Sequence, residues 1–183
     1  MKNKIVNFVY FMFSFTFLFN VVNAVQPVPQ KGSAEITKTR SIEDFVKENL
    51  PNSENVIYTI VPRGLIISVA TDFLFLEGST EIHEEAYNFL YQIGSIVKYI
   101  NKPCVVEGNA LTQSDADILS NMELSIIRAD EIVEFLINKN QISPNLLRSI
   151  GFGNMMPFYD NVSYKGHMDK RIDFVIFNYE TER

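Results

Sequence analysis

The order of periodic segments in this chain predicts an α+β fold, a two-layer sandwich in which two main helices lie on a mixed β-sheet. Three observations carry that prediction. Two β-rich runs flank Pro62-Arg63-Gly64, the pattern of a hairpin. Two long stretches, near 82–97 and 121–136, place their apolar residues at helical spacing. The run "RIDFVIF" near the end alternates as a strand does.

Taken in order, the elements begin with "SIEDFVKENL", a short helix with Ser41 as N-cap candidate, acids in its first turn and Pro51 beyond its end. "NVIYTIVPRGLIISVA" supplies the two hairpin strands. After a loop containing Glu77-Gly78-Ser79, Ile82, Ala86, Phe89, Leu90, Ile93 and Val97 mark one face of a helix of about five turns. "CVVEG" reads as a short buried strand. The second long helix carries Ala129, Ile132, Val133 and Leu136 on its apolar stripe, and Ser120 with Glu123 three residues on has capping-box spacing. "LLRSIGFG" reads as strand into loop, and "RIDFVIF" closes the sheet.

The chain is 183 residues long with 46% apolar side chains, enough for one compact domain and a short extra segment. Residues 1–24 open with Lys2 and Lys4, continue as an aromatic-rich apolar run and finish in Val22-Asn23-Ala24, the layout of a secretory signal peptide. The alternative is an uncleaved anchor, since residues 5–22 are about long enough to cross a bilayer. Residues 25–40, with two prolines, a glycine and little apolar content, read as a flexible tether. The compact domain is then 41–183.

A net charge of −6 excludes a nucleic-acid partner, whose phosphates require a basic face. Removal of Lys2 and Lys4 takes the charge from −6 to −8. The single cysteine, Cys104, lies between Pro103 and Val105-Val106 and reads as a buried strand thiol, not a nucleophile. His83 and His167 are far apart in unrelated contexts, so neither a metal site nor a catalytic dyad is expected. No nucleophile elbow, dinucleotide fingerprint or calcium loop is present. The expectation is a protein that is not an enzyme and needs no cofactor.

Asn121, Leu124, Ser125, Arg128 and Ala129 spell N-x-x-L-S-x-x-R-A at the start of the second long helix. With this phrase the chain resembles the OmpA C-terminal-like family, the peptidoglycan-binding domain shared by OmpA, peptidoglycan-associated lipoproteins and the flagellar stator protein MotB. "RGLIISVATDFLFLEGSTEI" resembles the opening of that domain, with Phe75 and Gly78 in matching places. "GFGNMMP" (Gly151, Gly153, Pro157) is similar to its G-x-G-x-x-x-P loop, and "DKRIDF" to its closing strand. "SNMELS" leans towards the MotB branch. The resemblance covers about residues 56–178.

What the resemblance implies is a pocket for the diaminopimelate stem peptide of peptidoglycan. An aspartate of a G-x-T-D motif takes the ligand's ammonium there, and the helix arginine, here Arg128, takes its carboxylate through a planar fork of donors. Helix N-terminal amides near Asn121 to Leu124 would add positive potential. The aspartate does not carry over. Gly108 matches, but Asn109, Ala110 and Leu111 stand where the rest of G-x-T-D would be. Three readings stay open. Asp115 or Asp117, just downstream, supplies the carboxylate; or Leu111 marks a changed ligand; or the fold has become a protein-binding module. By itself, an arginine in such a helix usually faces water or pairs locally, and Asp130 and Glu131 are near.

Two functions are therefore expected: a domain in the periplasm of a Gram-negative bacterium that tethers the envelope to the wall through a degenerate site, or an assembly module with an envelope protein partner. A motor stator is disfavoured, because residues 5–22 hold no proton-accepting acid. By analogy with MotB, a homodimer is expected, an inference from fold alone.

Overall fold

The structure, a computed structural model, describes residues 31–50, 53–110, 118–158 and 166–178, without the side chains of 31–39, 118–119 and 166–167. The signal-peptide reading of 1–24, Leu111, Asp115 and Asp117 fall outside the described residues. The chain divides into two units, Met1–Ser33 and Ala34–Arg183, and the fold below is that of the second.

Five strands form a mixed sheet in the order β1-β2-β5-β3-β4. Strands β1 (Val56–Val61) and β2 (Gly64–Ala70) are the predicted hairpin, closed by the two residues Pro62-Arg63. β3 (Cys104–Asn109) pairs in parallel with β4 (Leu147–Gly151), and β5 (Arg171–Phe177) lies between β2 and β3, antiparallel to both. The last strand of the sequence is thus the central one. Its Ile172, Phe174 and Ile176 join Leu65, Ile67, Val69, Cys104 and Val106 on the face that the helices cover. Burial pushes the Cys104 thiol up to about 12, so it remains protonated and inert.

Three long helices pack on that face. α1 (Lys31–Asn49) is longer than the predicted short helix. Residues 31–40 of the expected tether are helical because no proline lies between Pro29 and Pro51, and Ala34, Glu35, Lys38 and Arg40 are good helix formers. Val46 and Leu50 insert into the core, and the Phe45 ring stacks on Tyr99 at 4.8 Å. A one-turn helix α2 (Thr71–Leu74) follows β2 directly. The predicted five-turn helix is a 3₁₀ turn, Glu84–Ala86, leading into the 14-residue α3 (Tyr87–Ile100). It stops where Asn101 adopts φ 52° and donates its N–H back to Val97 O, with Pro103 beyond.

α4 (Ile118–Asn140) buries Ala129, Ile132, Phe135 and Leu136, with Val133 partly buried beside them. It begins earlier than the capping-box spacing suggested. Ser120 lies inside the helix, so it is not the N-cap.

The opposite face of the sheet is not open to water, as β5 alternation alone would suggest. Phe158 and Met168, from the chain between β4 and β5, pack with Ala70 over it. Beneath them Arg171 Nε donates to both carboxylate oxygens of Asp173 (3.0 and 2.9 Å), and Asn109 Nδ2 donates to Oδ2 (3.1 Å). Arg171 Nη1 also donates to Met156 O (3.0 Å) and Met168 O (3.2 Å), fixing the covering segment in place. Burial pushes the Asp173 carboxyl up, while Arg171, Ser68 and Asn109 pull it back.

Glu107 stands directly opposite Asp173 in the ladder, with Arg63 at 3.4 Å as its ion-pair partner. Burial raises its carboxyl above the ordinary 4.5, and the charge of Arg63 only partly opposes the shift. A carboxyl raised in the folded state binds more protons folded than unfolded between its two pKa values. Its stabilising contribution is complete below the unfolded value and is lost as pH rises through the folded one. Glu107→Gln should therefore gain stability relative to wild type as pH is raised from about 4 to 8. Urea unfolding across that range measures it; a difference between the two proteins that does not change with pH would count against the shift.

Candidate functional site

The charged cleft of this domain forms where β2 ends and β5 begins. α2 continues β2 without a loop: Thr71 N–H donates to Lys170 O and Phe75 N–H to Thr71 O, each at 2.9 Å. The chain then makes a tight turn. Phe75 bridges Ile82, Leu76 N–H donates to Glu81 O (3.1 Å), and Gly78 takes φ +66°, a left-handed conformation that glycine adopts without a steric penalty. This turn brings the carbonyl of Ser79 to Arg128.

Arg128 donates from Nε (2.9 Å) and Nη2 (2.8 Å) to Ser79 O, and its guanidinium carbon lies 5.3 Å from the centre of the Phe75 ring. The residue is only 6% exposed. Burial lowers its pKa, and the Asp72 carboxylate acts in the opposite direction. Of its five N–H donors, two are engaged by a neutral carbonyl, and no carboxylate within 4.0 Å balances its charge among the described residues. A buried guanidinium whose direct contacts among the described residues are a carbonyl and a ring is well suited to receive an anion.

Around it, Asp72, Phe75, Glu77, Gly78, Leu124 and Lys170 complete a cleft of about 460 Å³. It carries two cations and two acids. A larger groove of about 560 Å³ between α1 and α3 is lined by Phe45, Asn49, Tyr91, Gln92, Ser95, Ile96 and Tyr99. None of those side chains is charged, so the groove offers no counter-charge to a carboxylate or an ammonium.

Of the residues singled out in the sequence, Arg128 and Leu124 line the cleft. Asn121 is buried within α4, and Gly108 lies under the same helix. The amides of Met122 to Leu124 fall in the second turn of a helix that begins at Ile118, where backbone acceptors four residues earlier are available to them. Among the described residues, Met122 to Leu124 therefore offer no free N-terminal amides to the cleft. Asp72, Glu77 and Lys170 were not anticipated. The signal for Asp72 was a lone acid in the otherwise apolar run "VATDFLFL"; Lys170 gave none beyond adjacency to the closing strand.

Ser125 links the helix to the glycine loop. Its hydroxyl donates to Met122 O (2.8 Å) and accepts from Gly153 N–H (3.0 Å), while Phe152 N–H donates to Gly108 O (2.8 Å). The S of N-x-x-L-S-x-x-R and the second G of G-x-G thus orient the helix that carries Arg128.

Fold and cleft together define a two-layer α+β recognition domain with a small site of mixed charge. Among known proteins, the chain belongs to the OmpA family, whose model matches residues 74–171. In solved structures the same fold occurs in a putative MotB-like protein from Desulfovibrio vulgaris (TM-score 0.68, 17% identity, 80% of this chain and 98% of that one). It occurs also in the periplasmic domain of Helicobacter pylori MotB (TM-score 0.59, 21% identity, 68% and 83%). The cell wall anchor of the T6SS from Pseudomonas aeruginosa is a third example (TM-score 0.58, 18% identity, 78% and 98%). In sequence, the chain is 25% identical over 118 residues to the uncharacterized protein YtxE of Bacillus subtilis, a match that takes in 62% of this chain and 48% of that protein. It thus spans about half the length of that curated relative.

Proposed function

We propose that the protein is a non-catalytic wall-binding domain, exported to the periplasm, in which Arg128 receives a carboxylate of the peptidoglycan stem peptide at its diaminopimelate residue. The observation that carries this reading is the buried guanidinium at the wall of a cleft, balanced by Ser79 O and the Phe75 ring. A ligand carboxylate would engage the remaining donors of the fork. Family membership and the fold shared with a protein described as a cell wall anchor support the same reading. The net charge of −6 opposes nonspecific adhesion to an anionic wall, so recognition has to come from the cleft.

One observation favours the alternative, an assembly module for an envelope protein partner. Two donors of the Arg128 fork already close on Ser79 O within the domain. Co-sedimentation with diaminopimelate-type sacculi distinguishes the two. The wild-type chain should pellet with the wall and Arg128→Ala should remain in the supernatant. Equal behaviour of both proteins, whether bound or unbound, sinks the cleft reading. Sedimentation equilibrium of the same preparation addresses the homodimer expected by analogy with MotB.

A further inference from the structure

We propose that the ammonium partner in this cleft is Asp72, presented by the turn after β2 and not by the loop after β3, so that the site grips a zwitterionic amino-acid head between Asp72 and Arg128. This rests on the reading of Arg128 as the carboxylate receptor and adds the second half of the site.

The side chain of Leu111, which stands where the acid of G-x-T-D would be, has no group able to accept a hydrogen bond from an ammonium. Asp72 lines the same cleft as Arg128 and is exposed at its rim, and its charge acts on the guanidinium. Yet the two do not form a direct ion pair: among the described residues no carboxylate of Asp72 lies within 4.0 Å of an arginine or lysine nitrogen. Opposite charges that share a cleft without closing on each other leave room for a ligand carrying both signs to bridge them.

The charge balance points the same way. With Asp72 and Glu77 against Arg128 and Lys170, the lining is neutral in sum. A zwitterion entering it leaves no charge uncompensated, whereas a simple anion or cation would desolvate groups of the wrong sign. The scaffold is also firm. α2 is tied at both ends by the Thr71 and Phe75 amides, and Leu74 is wholly buried. A carboxylate on such an element is held closer to one geometry than a loop carboxylate is.

The test is calorimetric titration of the full chain with a stem tripeptide ending in diaminopimelate, and with the same peptide acetylated at the free amine of its diaminopimelate residue. Asp72→Asn should weaken the free-amine peptide by roughly ten- to a hundredfold. It should leave the acetylated peptide unaffected, and the thermal midpoint unchanged, because the side chain is exposed. Asp115→Asn combined with Asp117→Asn should bind as wild type. Wild-type affinity in Asp72→Asn, or a loss confined to the Asp115/Asp117 variant, overturns the assignment and leaves the Arg128 reading standing. Failure of the wild-type chain to bind the tripeptide overturns both.

Discussion

Arg171→Leu should destabilise the domain by about 3 to 5 kcal/mol, the usual cost of leaving one member of a buried ion pair without its partner. Asp173 is 4% exposed, and its two bonds from Arg171 Nε would be lost together. Asn109 Nδ2 and the Ser68 hydroxyl would remain, neutral donors against a full charge. The same substitution frees the carbonyls of Met156 and Met168, and with them the segment that covers the back of the sheet. Against a typical total of about 5 to 15 kcal/mol, the loss would leave the fold marginal. Urea unfolding checks it. Adding Asp173→Leu should restore part of the stability, because a buried pair replaced by apolar groups often costs little. A single-variant loss below about 1 kcal/mol would mean that water reaches the pair.

Gly108→Ala comes second, with an expected cost of at least about 1 to 3 kcal/mol. A Cβ there would stand 2.1 Å from Ser125 O and 2.8 Å from Ser125 C. Those are backbone atoms of a 23-residue helix, which can yield only by moving as a body. Gly151, paired in register with Gly108, faces the same turn, its Cβ meeting Ile126 N at 2.6 Å. The two glycines make a flat floor on β3 and β4 onto which the start of α4 settles. Lifting that turn would shift Arg128 away from Ser79 O, so sacculus binding should fall with stability. A variant that loses stability but pellets like wild type would separate the helix seat from the site. Gly108 is thus a packing residue that governs the site from beneath.

The resemblance matched Gly108 to the glycine of a motif, yet its packing role was not visible until the helix above it was. The same holds for Ser125, whose place in the motif reflects a bond to Gly153 N–H 28 residues away. Phe75 and Gly78 were matched by sequence, but the turn's delivery of the Ser79 carbonyl to Arg128 depends on a contact 49 residues apart.

What the sequence determined by itself was local. The hairpin at Pro62-Arg63, the apolar stripes of α3 and α4, the buried strand at Cys104 and the place of Arg128 on α4 all follow from periods of two or 3.6 residues and from a phrase of nine. Tertiary structure alone decided the rest. β5 became central because strand order is set by pairing across the whole chain, and burial on both faces then required Arg171 and Asp173 to neutralise each other. Asp72, Glu77 and Lys170 reached Arg128 because α2, the turn and the start of β5 converge at one end of the sheet. Periodicity reports which face a residue occupies. It carries no term for which distant charge will meet it there, since that depends on how the elements pack and on how little water remains between them.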